Sequence, residues 1–209
     1  MKKLTIIITM FLMAACAPRP LPQPLPAPEP EVRTITILPV AIVTNNNQNK
    51  KTRQGLTAGQ KELSRLLHDY FKNNDRVHFL SPDQTATYNQ GYETKEEIQK
   101  LGRRLHSDAL MIWEISRYRE KDGGNYSVGH PSSVAFSYHL VSTATGATLC
   151  GDKIDHTQEP LTENLLSFKT FLQRGGKWVS AARLMSDILP PTLKQCKYLK
   201  ADKNAAADQ

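Results

Sequence analysis

Little in this chain announces a reaction. Its 209 residues contain no G-x-S-x-G elbow and no phosphate-cradling glycine loop, which removes the sequence marks of acyl-transfer hydrolases and of nucleotide-binding folds. Gly123-Gly124 and Gly175-Gly176 read as turns instead. Six histidines are present, His130, His139 and His156 closest together, yet none has the short paired spacing of a zinc site. His139 alternates with Phe136 and Tyr138, so its ring is expected on the face away from theirs, toward solvent or a helix. Asp152 and Asp155 share one hairpin, but their odd spacing puts them on opposite strand faces and argues against a catalytic dyad. On these grounds no catalytic, cofactor-binding or metal-binding residue is assigned. Internal repeats are missing too. The basic residues are scattered as "NKKTR", "LGRRLH" and "CKYLK" without interleaved aromatics, so nucleic acid is not an expected partner. A formal charge of +7 suits a solvated face, and is compatible with contact to anionic lipid or glycan surfaces.

Long hydrophobic runs are absent as well. The apolar stretch from Leu4 to Leu12 falls short of the roughly 20 residues a membrane-spanning helix needs. It follows Lys2 and Lys3 and precedes Ala14 and Ala15, the three-part pattern of a secretion signal. Loss of the two lysines with that segment takes the formal charge from +7 to +5. Cysteine is scarce, with three in the chain, and the first, Cys16, stands where the small residues end. Met13-Ala14-Ala15-Cys16 resembles the bacterial lipoprotein signal, an aliphatic residue and two small ones before the cysteine that becomes the new N-terminus. Methionine stands where leucine is usual. The resemblance implies that Cys16 takes a diacylglycerol on sulfur and an acyl chain on its freed amine. Two or more chains, at roughly 0.8 kcal/mol per buried methylene, make such anchoring stable. Ala17, in place of an aspartate, implies an outer-membrane address facing the periplasm.

Seven of the thirteen residues from Pro18 to Pro30 are proline. Helix and sheet both need backbone N–H donors at these positions, so the segment is an extended, polyproline-like spacer of about 3 Å per residue, reaching at most roughly 40 Å. A disordered linker with no distance role is equally compatible. The layout expected is a signal peptide over residues 1–15, a lipidated cysteine and tether over 16–32, one globular unit over 33–199, and a disordered tail over 200–209.

Within that unit, "RTITILPVAIV" predicts a buried first strand with Pro39 near its end. "NNNQNKKTRQG", Asn45 to Gly55, predicts a loop. Thr57 and Gln60 have capping-box spacing, and Leu63, Leu66, Leu67, Tyr70 and Phe71 share one helical face. "RVHFLS" predicts a short strand. A second helix opens at Thr94 and Glu97 with Ile98, Leu101 and Leu105 inward. "DALMIWEISRY" predicts a strand that leaves the core at its end. The polar loop Glu120 to Pro131 follows, and then a hairpin with Val134, Phe136, Tyr138 and Leu140 on one face and Thr145-Gly146 at the turn. Two helices close the chain, one carrying Leu161, Leu165, Phe168 and Leu172, the other Ala181, Leu184, Met185, Ile188 and Leu189. The order β-α-β-α-β-β-β-α-α predicts an α/β fold, a single domain with a mixed β-sheet of about five strands and helices packed on it.

"ITILPVAIV", "VHFLSPDQ", "DALMIWEISRY" and "SVAFSYHLVSTATGATL" resemble a group of bacterial envelope domains: the amino-terminal domain of the Tol-system translocation protein, the curli-secretion lipoprotein, and the lipoprotein activators of penicillin-binding proteins. "EPLTENLLSFKTFLQRGGKWVSAARLM" is similar to the C-terminal part of uncharacterised outer-membrane lipoproteins. The excursion Glu120 to Pro131 is too short for two spanning strands of about 10 residues each, so a pore is not expected. Setting Cys16 aside leaves Cys150 and Cys196 as a candidate disulfide in an exported chain, worth roughly 3 to 4 kcal/mol if formed; two reduced thiols are the alternative. The function implied is that of a membrane-anchored, non-catalytic binding or accessory lipoprotein of a cell-envelope machine, with an envelope protein partner and no cofactor. The polar loops Asn45 to Gly55 and Glu120 to Pro131 are its candidate contact surfaces. An envelope hydrolase or metal-dependent enzyme with a scattered site, and a homo-oligomeric scaffold, are the two alternatives.

Overall fold

The computed structural model describes residues 31–44, 48–80, 94–124, 128–158 and 178–200. The chain divides into two units, Met1–Pro30 and Glu31–Gln209, and the description below is of the second. Cys16, the proline tract, the stretch carrying Leu161 to Leu172, Gly175-Gly176 and the tail from residue 201 lie outside the described residues.

In chain order the elements are β1 (Ile35–Ile37), β2 (Ala41–Ile42), α1 (Lys50–Phe71), β3 (Val77–Phe79), α2 (Lys95–Leu105), β4 (Ala109–Arg119), β5 (Asp122–Gly123), β6 (Val128–His130), β7 (Ser133–Ser142), β8 (Thr148–Thr157) and α3 (Ala181–Lys194), followed by a 3-10 turn over Lys197–Leu199. Strands run in the order β3-β1-β4-β7-β8, with β2 also paired to β4. β1 is parallel to both neighbours, with Ile35 opposite Val77 and Ala109, while β4, β7 and β8 are mutually antiparallel. The fold is α/β with a mixed sheet, as the element order implied.

The inner sheet face carries the main core. Met111, Trp113 and Ile115 of β4 and Phe136, Tyr138 and Leu140 of β7 are all 2% exposed or less, and they pack with Leu63 and Leu67 of α1 and Leu184 and Leu189 of α3. Trp113 stacks on Tyr138 with ring centroids 5.0 Å apart. Burial of each such side chain contributes about 1.5 to 3 kcal/mol. The outer face has a smaller core, in which Ile98 and Leu101 of α2 close over Leu38, Leu110 and Val141.

Local chemistry explains most element boundaries. Thr94 caps α2 by accepting from the Glu97 backbone N–H at 3.3 Å, while the Glu97 carboxylate accepts from the Thr94 N–H at 3.1 Å. That is the reciprocal capping box its spacing predicted. Gly146 turns the β7–β8 hairpin with φ +67°, a conformation that favours glycine. The expected first strand divides at Pro39 into β1 and β2. Leu38 N donates to Met111 O and Val43 N to Ile115 O, both at 2.9 Å, so the chain follows β4 on either side of the proline that has no N–H to give.

Three expectations are corrected. The loop predicted from Asn45 to Gly55 ends at Asn49, whose side chain accepts from the Thr52 N–H at 2.8 Å and starts α1 at Lys50. Thr57 and Gln60 therefore form no capping box: Thr57 Oγ1 donates to Arg53 O inside the helix and Gln60 Nε2 to Val40 O. Gly55, the last residue of that predicted loop, lies inside α1 and is a contact point. A Cβ there would lie 2.6 Å from Tyr118 O, and one at Gly59 2.6 Å from Tyr118 Cβ, so both glycines let α1 press onto the end of β4. Within the segment Glu120 to Pro131, predicted as loop, β5 and β6 form a small antiparallel ribbon. The last helix, α3, carries the expected apolar residues and runs on through Pro190 and Pro191 to Lys194.

Candidate functional site

A break in the period of β4 places a polar cluster on the outer face of the sheet. Ile115 opposes Phe136 and Arg117 opposes Ala135, so Ser116 is the extra residue of a β-bulge. Strict alternation would send Arg117 to the inner face behind Trp113 and Ile115. The bulge turns it outward and gives the inner position to Tyr118. On the outer face Arg117 Nε donates to Ser133 Oγ at 2.5 Å, and its guanidinium also donates to the Asp155 carboxylate. Ser133 Oγ lies 2.8 Å from Thr157 Oγ1. The hydrogen bond from Arg117 holds the Asp155 carboxyl below its ordinary value, although the carboxylate is largely exposed. One row along, Glu114, Ser137 and Lys153 lie opposite one another across β4, β7 and β8, and Ser137 Oγ donates to Glu114 at 3.4 Å. His139 is exposed beyond them.

Where β4 ends, a second cluster fastens the expected contact loop. Glu120 accepts the Tyr118 hydroxyl proton at 3.1 Å on one carboxylate oxygen and the Ala181 N–H at 3.0 Å on the other, capping the start of α3. Burial first, then the Glu120 charge and hydrogen bond, pushes the Tyr118 phenol well above its ordinary value. Lys121 Nζ donates to Trp178 O, Ser132 Oγ to Val179 O, and Val179 N to Gln158 Oε1. These contacts tie the start and end of the segment to the entry of α3.

Asp108 plays a comparable part at the beginning of β1, accepting from the Arg33 and Thr34 backbone N–H groups and from the Thr34 hydroxyl at 2.9 to 3.0 Å. Burial works against its charge, but these hydrogen bonds prevail and hold the carboxyl below its ordinary value. At the opposite ends of β1 and β3, beside α1, the His68 ring stacks on Phe79 with centroids 3.6 Å apart. It borders a cleft of about 170 Å³ that also includes Pro39 and Ser64.

The residues singled out in the sequence are dispersed. His130 sits on the exposed ribbon 3.8 Å from Asp122, His139 on the outer sheet face, and His156 on the edge strand β8. Among the described residues no three His, Cys, Asp or Glu side chains group to hold a metal ion. Asp152 lies opposite Tyr138 and Asp155 opposite Ala135, on opposite faces of β8. Cys150 of β8 and Cys196 after α3 are bonded through their sulfurs, with Cα atoms 5.8 Å apart. Cys16 lies outside the described residues. Arg117, Tyr118 and Glu120 carry no motif, and the apolar-to-alternating switch in "DALMIWEISRY" marked only the strand that holds the first two.

No family model and no curated protein matches the chain. Among solved structures it is similar to the PelC dodecamer from Paraburkholderia phytofirmans, at 10% identity over 81% of this chain and 89% of that one, with a TM-score of 0.45. The LpoB C-terminal domain from Salmonella enterica is similar at 15% identity over 63% of this chain and 88% of that one, TM-score 0.38. Lipoprotein GNA1162 from Neisseria meningitidis is similar at 13% identity, covering 69% and 94%, TM-score 0.35. Likenesses at this level assign neither a family nor a residue role.

Proposed function

We propose that the protein is a membrane-anchored accessory lipoprotein of the bacterial envelope, which presents its α/β unit to a protein partner in the periplasm. The observation that carries this is the junction Met13-Ala14-Ala15-Cys16 followed by a proline tract that ends where the folded unit begins. Three groups with displaced protonation serve structural contacts: Asp108 the start of β1, Tyr118 the Glu120 cap of α3, and Asp155 the cross-strand bond to Arg117. The Cys150–Cys196 bond belongs to the same reading, since export to an oxidising compartment is what allows it to persist. In this reading the domain is held near its partner by the anchor, and local concentration substitutes for intrinsic affinity.

The test is capture of the protein from crosslinked cells, with mass spectrometry of the protein and of what it brings along, beside Cys16→Ala. The expected result is acyl mass on a chain beginning at Cys16, no free thiol, and recovery of an envelope assembly, cell-wall, secretion or transport component that depends on acylation. Absence of acyl mass sinks the anchor, and acylated protein that recovers no component specifically sinks the accessory role.

A further inference from the structure

At the end of the sheet where β1 and β3 begin, one guanidinium joins three stretches of chain. Arg76 donates to the carbonyl oxygens of Val32 and Arg33, where the chain enters the folded unit, and to that of Lys200 beyond the last turn. Lys200 also borders a cleft of about 250 Å³ between the C-terminal ends of α1 and α3. Its floor is apolar, made by the buried side chains of Phe71, Leu193 and Leu199 with half-buried Tyr70. The rim carries the exposed ammonium groups of Lys194 and Lys200. Exposed Lys72 and Lys197 stand on the adjoining turns, and Asp75 lies between Lys72 and Arg76 in the chain. The C-terminal carbonyls of α1 and α3 present partial negative charge here, which by itself repels anions. Whatever attraction the rim has for an anion therefore comes from its lysines.

We infer that this cleft and its lysine rim bind anionic phospholipid at the surface of the membrane that holds the anchor, an inference that rests on the reading of Cys16 as acylated. An apolar floor under a cationic rim matches an amphiphile with a negative head. The position matches as well, since the chain from Cys16 enters the folded unit beside this cleft, bridged to it by Arg76. A tether of up to roughly 40 Å permits many orientations, and a second, electrostatic contact at the point of entry selects one. It brings the N-terminal ends of β1 and β3 to the lipid and turns the β5–β6 ribbon and the Glu120 cluster away from it, toward the periplasm.

The test uses the chain from residue 16 onward with Cys16→Ser, which keeps the whole described core and removes both the signal and the acyl chains. Its partitioning is measured by co-sedimentation with vesicles of phosphatidylethanolamine and phosphatidylglycerol and with vesicles of phosphatidylcholine. Binding is expected only to the phosphatidylglycerol vesicles, and is expected to weaken as salt rises. With roughly fivefold in partitioning for each basic residue near an anionic surface, Lys194→Glu with Lys200→Glu is expected to lower it at least about tenfold. Lys194→Gln with Lys200→Gln removes the same charges more gently, and an unchanged urea midpoint shows that either variant is folded. Equal binding to both vesicle types, no binding to phosphatidylglycerol vesicles, or unchanged partitioning in the folded variants overturns the inference. Acyl mass on Cys16 in cells is read separately, so a failed vesicle assay with an acylated protein removes this contact and leaves the anchor standing.

Discussion

The two faces of the sheet solve different problems with the same strands. On the inner face, β4 and β7 bring Trp113, Phe136 and Tyr138 under α1 and α3, and the buried Trp113 indole nitrogen has no hydrogen-bond partner among the described residues. On the outer face, α2 covers only the Leu38, Leu110 and Val141 end, and the remainder displays Glu114, Arg117, His139, Lys153 and Asp155. The inner face is held by area removed from water, which is indifferent to direction and costly to disturb. The outer face is held by hydrogen bonds between groups that water also serves, so each is worth little to stability and is open to change by selection for contact. A surface of the second kind can change its contacts without risking the fold.

The sharpest way to break this comparison is to truncate neighbours that point in opposite directions. Trp113→Ala is expected to cost about 3 to 5 kcal/mol, and Glu114→Ala, the next residue along β4, less than about 0.5 kcal/mol, both read by urea unfolding. Similar costs at the two positions would mean that the outer face is also core. A middle-sized effect is expected where α1 meets β4. An alanine in place of glycine in an ordinary helix gains up to about 1 kcal/mol. At Gly59 the new methyl would fall 2.6 Å from Tyr118 Cβ and 2.7 Å from Ile115 Cδ1, and overpacking of this kind costs about 1 to 3 kcal/mol. Gly59→Ala is therefore expected to lower the thermal midpoint, and a raised midpoint would show that the helix is free to move away from the strand.

The smallest effect belongs to Asp155. Its carboxyl lies below the ordinary value in the folded state, chiefly through the hydrogen bond from Arg117. The stabilisation is therefore present above the unfolded value near 3.9 and is lost as pH falls through the lower folded value. For an exposed pair it amounts to less than about 1 kcal/mol at neutral pH. Asp155→Asn should lower stability slightly at pH 7 and leave it unchanged near pH 2. A difference that persists at pH 2 would trace to packing and not to charge.

Legibility in the sequence followed the range of the interactions. The α2 cap was visible because Thr94 and Glu97 are three residues apart and satisfy each other. Burial of Val134, Phe136, Tyr138 and Leu140 was visible because a strand alternates with period two. The start of α1 was misplaced, since Gly55 reads as the end of a polar loop until Tyr118 is seen against it, more than fifty residues along the chain. The polar cluster was hidden for the same reason. Nothing adjacent to Arg117 marks a bulge at Ser116, and its partners Ser133 and Asp155 come from two other strands.

By itself the sequence determined the main strands and helices, their apolar faces and the cap of α2, because these depend on neighbours within one or two turns of chain. It also determined that no familiar catalytic motif is present. Only the tertiary structure decided how closely α1 approaches β4, which way Arg117 points, that Glu120 closes the start of α3, and that Arg76 gathers the entry and the end of the folded unit beside the lysine-rimmed cleft. Each of those depends on atoms distant in sequence meeting at a few ångströms, a coincidence set by the register of the strands and the packing of helices upon them.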